Sequence, residues 1–267
     1  MTVAFGPYET LELKDLSKGI LLVRLNRPEV RNAINTQMGR DVLDVFTRLA
    51  ADPEPWRCII LTGAGDKAFC AGVDLKERRG MSNEDWNRQH ALFERKMLSL
   101  LDCPVPIIAA VNGAAYAGGC ELTLLCDFTY AVPSARFALT EVTIGIMPGG
   151  GGTQTLQRRI GYQRAAEIIL TGRPFSADEA YDWGLVNRLC APEDLMKETI
   201  GTAETIAGNA PLSIRQAKRS MIFGGQMDLR SAMYFEIDCY NRLPPTEDRR
   251  EGINAFNEKR LPVFRGR

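Results

Sequence analysis

One histidine, His90, occurs in 267 residues. That scarcity excludes multi-histidine metal sites and leaves a single possible histidine-based triad. His90 lies in a polar stretch, Glu84 to Leu101, with no nucleophile pattern beside it, and reads as a surface or satisfied histidine. Net charge is missing too: 33 Lys plus Arg balance 33 Asp plus Glu. That balance argues against a general binder of nucleic acid or anionic membrane. No apolar run is long enough to span a bilayer. No Cys-x-x-Cys pair, low-complexity segment or clear periodic repeat is present. The cysteines at 58, 70, 103, 120, 126, 190 and 239 are odd in number and scattered, which fits reduced thiols in a cytosol-like compartment. The N-terminal stretch carries Glu9 and Glu12 and lacks a secretory or Arg-rich transit pattern, so a cytoplasmic location is the expectation. With multi-histidine sites excluded, carboxylates and backbone amides are the natural candidates for any catalysis.

What is present is ordinary globular material: 45% apolar and 25% charged residues, in a chain long enough for a large core. Strands are expected at Ile20–Asn26, Cys58–Thr62, Val105–Val111, Asp127–Val132, Arg136–Leu139 and Leu185–Leu189. Helices are expected from Asn35 or Thr36 to Ala50, over Glu84–Leu101, and at Thr153–Arg159, Arg164–Leu170 and Ala177–Trp183. Beyond Pro192 the pattern is helical throughout, near 193–208, 211–222, 228–242 and 246–258. Alternation in the first two-thirds points to an α/β core. The helical tail then needs a surface on which to bury its apolar residues.

The chain is organised around Asn112-Gly-Ala-Ala-Tyr-Ala-Gly-Gly-Cys-Glu121, between an apolar strand and the apolar run Leu122–Cys126. Gly118 and Gly119 stand where the chain turns into a helix. Unpaired N–H groups and the positive dipole end would lie there, and glycines leave room for a ligand against the backbone. Glu121 falls in the first turn. Taken alone, this stretch reads better as a tight strand–helix turn whose glutamate merely suits the dipole. Two further glycine turns shift the balance: Ala68-Phe-Cys-Ala-Gly-Val-Asp74, and Glu141 followed by Ile144-Gly-Ile-Met-Pro-Gly-Gly-Gly-Gly-Thr-Gln154. The four-glycine run lacks the Gly-Lys-Ser/Thr ending of a nucleoside-triphosphate loop.

These three turns resemble those of the enoyl-CoA hydratase/isomerase (crotonase) superfamily. The similarity covers most of the chain. It includes Asn26-Arg-Pro28 with Arg31-Asn-Ala33, Leu170-Thr-Gly172 with Ala177-Asp-Glu-Ala180, and Gly184-Leu-Val186. It ends with Thr246-Glu-Asp248, Glu251-Gly252, Ala255-Phe256 and Lys259-Arg260. The resemblance implies an α/β spiral of ββα units over residues 1–208 and a C-terminal helical trimerisation region over 209–267. It implies a homo-oligomer, a trimer or dimer of trimers, and an acyl-CoA thioester substrate. Coenzyme A would enter as part of that substrate, with no separate cofactor. Two backbone N–H groups, at Cys70 and Gly118, would form an oxyanion hole for the thioester enolate. Gly149 would hold the reacting water. On this reading the Cys70 thiol is only a small side chain and not a nucleophile.

Hydratases similar to this sequence carry glutamates at both Glu121 and Glu141, 20 positions apart. Adding water across a conjugated double bond needs a base for water and an acid for Cα, and two carboxylates serve if their pKa values are separated. Glu121, at a helix start, is expected to be the ionised base. Glu141, flanked by Leu139, Val142 and Ile144, is expected to be more buried and to act as the acid. For coenzyme A the resemblance implies Arg31 at the phosphates and backbone around Ala68, Ala71, Gly72 and Asp74 at the adenine. Phe256 and Lys259 would reach a neighbour's coenzyme A. Thr140 replaces a usual proline, Ala114 and Ala115 replace bulkier residues, and Tyr116 and Met147 are candidates to face the acyl group. The leading expectation is hydration of a trans-2-enoyl-CoA to a 3-hydroxyacyl-CoA. The alternatives are isomerisation, decarboxylation or hydration of a cyclic or branched enoyl-CoA on the same scaffold, and a non-catalytic RNA-associated role.

Overall fold

The structure, a computed structural model, describes residues 5–267. Strand β1 (Leu11–Asp15) pairs antiparallel with β2 (Ile20–Leu25). Helix α1 (Thr36–Ala51) starts where the Asn35 side chain accepts the Met38 N–H at 2.9 Å. It buries Met38, Val42, Val45, Phe46 and Leu49, the spacing of one helical face. The chain continues through β3 (Cys58–Gly63), β4 (Ala68–Cys70), α2 (Leu75–Arg78) and α3 (Asn83–Leu101). The central stretch comprises β5 (Ile107–Val111), β6 (Ala114–Tyr116), α4 (Gly118–Leu125), β7 (Phe128–Ala131) and β8 (Arg136–Ala138). Then follow α5 (Gly152–Ile160), α6 (Tyr162–Thr171), β9 (Phe175–Ser176), α7 (Ala177–Asp182), β10 (Arg188–Leu189) and α8 (Leu195–Ala207). The tail is α9 (Pro211–Gly224), α10 (Leu229–Asn241) and α11 (Glu247–Asn257).

Two sheets organise these elements. The larger runs β1-β2-β3-β5-β7-β10, parallel from β2 onward; the smaller runs β4-β6-β8-β9. Three consecutive turns of chain each give one strand to each sheet (β3 then β4, β5 then β6, β7 then β8) before entering helix or 3-10 turn. This is a spiral of ββα units, and an isolated parallel bridge joins Ile34 to Val73 outside both sheets. Strands β3 and β5 are buried on both faces, which is why they read as unbroken apolar runs. Helix α8 packs across β2, β3, β5 and β7.

The tail is tied to the core by a few polar anchors. Lys218 Nζ donates to the Val105 carbonyl at 2.9 Å and to Asp127 Oδ2 at 2.7 Å. Helix α10 packs on α9, with the Phe223 and Phe235 rings edge-on at 6.1 Å. The Asp248 carboxylate in α11 accepts the Arg265 and Gly266 N–H groups.

One expectation needs correction. The stretch Leu185–Leu189 forms only the two-residue β10, because the Leu185 and Val186 N–H groups both turn back onto the Ala180 carbonyl, at 2.8 and 3.0 Å. Helix α4 starts at Gly118, where the glycine pair was expected to open it, and the three-residue strand β6, not expected from the sequence, precedes it.

Candidate active site

Ala117 carries the turn from β6 into α4 at φ +49°, a region non-glycine residues rarely occupy, and its N–H is held by the Ala138 carbonyl at 2.8 Å. Helix α4 then lies directly on β4. A Cβ at Gly119 would sit 2.1 Å from the Cys70 carbonyl oxygen, so only glycine permits this approach. Residues 70 and 118 are thereby brought side by side. Gly118 is the first residue of α4, where N–H groups lie outside the helical ladder. The Cys70 thiol is fully buried and pushed up to about 11 by that burial, which keeps it protonated and inert.

Glu121 and Glu141 face one cleft of about 530 Å³. Glu121 Oε1 accepts the Gly150 and Gly152 N–H groups at 2.7 and 2.9 Å, so the glycine run folds back over the first turn of α4. Glu141 opens a 3-10 turn, Glu141–Ile144, and its Oε2 is buried with no hydrogen-bond partner. Its carboxyl is pushed up to about 7, first by burial and then by the neighbouring Glu121 charge. The expected contrast in burial does not hold: both glutamates are 7% exposed. Burial also raises the Glu121 carboxyl, against the downward pull of the two N–H donors, Lys96 and His90. The contrast lies in hydrogen bonding instead.

Ala71, Gly118, Gly149 and Met147 line the cleft; Tyr116 does not. Other sequence-derived candidates lie beyond its lining. The Arg31 carbonyl accepts the Ala71 N–H at 3.0 Å, which sets Arg31, exposed and at φ +55°, beside the turn at the cleft edge. Ala68 is buried within β4, and Gly72 takes φ +95°. The Asp74 carboxylate caps α2 and pairs with Arg27 at 3.0 Å, which holds it low despite partial burial. Phe256 and Lys259 are exposed at the end of α11 and are not part of the cleft wall of their own chain.

The structure adds a wall from which no individual site residue was expected. Arg78, Trp86, His90, Phe93 and Lys96, from α2 and α3, complete the cleft. His90 Nε2 lies 3.2 Å from Glu94 Oε1, and its ring packs against Gly149. The signal was the spacing of Trp86, His90 and Phe93 along one helical face, with Lys96 continuing it. Among the described residues, no group of three or more His, Cys, Asp or Glu side chains is arranged to hold a metal ion, and no helix is long and apolar enough to cross a membrane.

Paired carboxylates and backbone amides around one cleft, on a ββα spiral, define an α/β enzyme of the crotonase type. The chain belongs to the enoyl-CoA hydratase/isomerase family, whose model matches residues 15–267. It is 38% identical to a short-chain-enoyl-CoA hydratase of Clostridium acetobutylicum, over 90% of this chain and 92% of that one. It is 37% identical to an (E)-benzylidenesuccinyl-CoA hydratase of Thauera aromatica, over 94% and 98%. The crystal structure of an enoyl-CoA hydratase from Bacillus anthracis superposes with a TM-score of 0.95 at 40% identity, covering 97% of this chain and all of that one.

Proposed function

We propose that this chain is an enoyl-CoA hydratase that adds water across the double bond of a trans-2-enoyl-CoA, giving the 3-hydroxyacyl-CoA, and catalyses the reverse dehydration. The observation that carries this is the pair of buried glutamates facing one cleft beside the start of α4. Glu121, whose Oε1 already accepts two N–H bonds, is the better-supported anion and takes a proton from water as the oxygen attacks Cβ. Glu141, with an unpartnered buried oxygen and a raised pKa, holds a proton near neutrality and delivers it to Cα. The thioester oxygen carries the enolate charge between these events. On this proposal the backbone N–H groups of Cys70 and Gly118 donate to that oxygen, each contributing roughly 3 kcal/mol of transition-state stabilisation. Afterwards Glu121 holds a proton and Glu141 has lost one; exchange with solvent resets the pair. Gly149 positions the water, and both carboxylates acting on one face gives syn addition.

Coenzyme A arrives as part of the substrate, with no separate cofactor. Arg31 supplies a cation for its phosphates, and the Ala68–Asp74 turn, with Ala71 on the cleft edge, follows the adenine. Residues 1–208 are the catalytic core and residues 209–267 the assembly region of a trimer or dimer of trimers. Support for assembly is the apolar face the tail leaves uncovered: Phe256 is 84% exposed, Leu229 77% and Met221 71%. The seven unpaired, buried cysteines support a reducing compartment, the cytoplasm. Incubation with crotonyl-CoA and with a 3-enoyl-CoA tests the reaction. Loss of enoyl absorbance with 3-hydroxyacyl-CoA as product is expected from the first. Conversion of the second to the 2-enoyl ester without any hydration would instead make the chain an isomerase.

A further inference from the structure

The α2–α3 wall of the cleft is not purely apolar. Two cations line it. Lys96 is 7% exposed and Arg78 is 9% exposed. They flank one aromatic ring: Lys96 Nζ lies 5.2 Å and Arg78 Cζ 5.8 Å from the Phe93 centroid, with Arg78 also stacked 3.9 Å over Trp86. Arg78 Nε donates to Gln89 Oε1 at 2.7 Å. No ion pair found among the described residues involves Lys96 or Arg78. The carboxylate beside Arg78 in sequence, Glu77, is already engaged by the Thr36 N–H and Gln89 Nε2, both at 2.8 Å. Lys96 feels Glu121, and burial pushes its ammonium pKa down, as expected for a cation short of partners. A buried charge is normally paired, because desolvating an unpaired one costs several kcal/mol. Two such charges on one cleft wall call for an anion that arrives with the ligand.

We propose that the acyl group of the substrate carries its own carboxylate, so that this enzyme hydrates the CoA monothioester of an unsaturated dicarboxylic acid, with Lys96 and Arg78 holding the distal carboxylate. The inference rests on the hydratase reading and deepens it. The thioester end lies at Gly118 and Cys70, and the reacting carbons lie between Glu121 and Glu141. The α2–α3 wall then receives whatever extends beyond Cβ. Trp86 and Phe93 line that wall beside the methylene segment, with Arg78 stacked on Trp86 and Lys96 over Phe93 on the side that feels Glu121. A neutral alkyl chain would leave both cations desolvated and unpaired, whereas a carboxylate satisfies them with charge-assisted hydrogen bonds.

The test uses two pairs of substrates matched in length: glutaconyl-CoA against trans-2-pentenoyl-CoA, and trans-2-hexenedioyl-CoA against trans-2-hexenoyl-CoA. Coenzyme A is identical within each pair, so any contact of Lys96 or Arg78 with its phosphates cancels in the ratio. The full-length wild type should prefer the carboxylated member of at least one pair by about tenfold or more in kcat/KM, the worth of one charge-assisted hydrogen bond. Lys96→Met should collapse that preference mainly through KM, and Lys96→Arg should restore part of it. Preference for the neutral member at both lengths would overturn the proposal without touching the hydratase reading. So would an equal loss on both members in Lys96→Met, which would make Lys96 only a counter-charge for Glu121. Turnover of none of the four esters would sink the hydratase reading itself.

Discussion

At Glu141 a carboxyl oxygen is buried without a partner, while the equally buried Glu121 has two amide donors on one oxygen. That asymmetry sets the division of labour, and it can be measured apart from turnover. Folding moves the Glu141 carboxyl from its ordinary 4.5 to about 7, so the folded state binds a proton the unfolded state has released in that window. Stability contributed by this proton is full below the unfolded value and is lost as pH rises through about 7. Glutamine at this position has no proton to lose. Glu141→Gln should therefore gain stability over the wild type between about pH 5 and pH 8, by on the order of 3 kcal/mol once the charged form dominates. Denaturant melts across that range check it; a gap that stays constant or shrinks with rising pH would refute the raised pKa. In turnover, Glu121→Gln and Glu141→Gln should each lose about 100-fold or more while still binding the product ester. Cys70→Ala should stay active, since the buried, protonated thiol donates nothing the backbone does not. A covalent acyl adduct on Cys70 in mass spectrometry would contradict that.

The glycine run and the α4 turn act as paired elements, and their glycines differ in kind. At Gly150 an added Cβ would meet Glu121 Oε2, the free end of a side chain, at 2.3 Å. At Gly119 it would meet the Cys70 carbonyl, which is backbone, at 2.1 Å. Gly150→Ala should thus displace the catalytic carboxylate and lower kcat sharply with little change in melting temperature. Gly119→Ala should separate β4 from α4 and lower melting temperature and activity together. Equal melting temperatures for the two variants would refute this account. The same elements show how far the sequence was legible. Helices α1 and α8–α11 were readable because caps such as Asn35 and apolar spacing are local. Strands β4, β6 and β9 are two or three residues long, too short for any period, and exist only because a neighbouring strand is already in place. Both glutamates were legible as members of known turns. Arg78, His90 and Lys96 were not, because a charged residue on an amphipathic helix reads as solvated until tertiary packing turns it inward. Glu121 was expected to be ionised by the helix dipole alone. Its burial, set by the glycine run 29 residues away, works against that.

At the scale of the whole molecule, the question is what covers the tail. Helices α9 and α10 bury their shared side, and α9 is pinned to the core through Lys218. Their other faces leave Met221, Leu229, Met233, Ile237 and Tyr240 in solvent, and α11 adds Ile253 and Phe256. An apolar surface of this extent is a penalty for an isolated chain and a driving force for self-association. Closed symmetry satisfies it on every subunit at once, and the family likeness makes threefold symmetry the expectation. Phe256 and Lys259 are exposed and stand outside the lining of their own cleft; the prediction is that they reach a neighbour's coenzyme A, which would link assembly to substrate affinity. Sedimentation should give a trimer or hexamer. Truncation after Gly208 should give monomers or aggregates with poor turnover, because the exposed core edge at Val105 and Asp127 loses its Lys218 cover. In the intact chain, Lys259→Ala should raise KM for the full CoA ester while leaving kcat nearly unchanged, and should matter less for a thioester lacking the nucleotide. A stable, fully active monomer would refute the assembly. An equal effect of Lys259→Ala on both thioesters would refute the nucleotide contact while leaving the carboxylate chemistry intact.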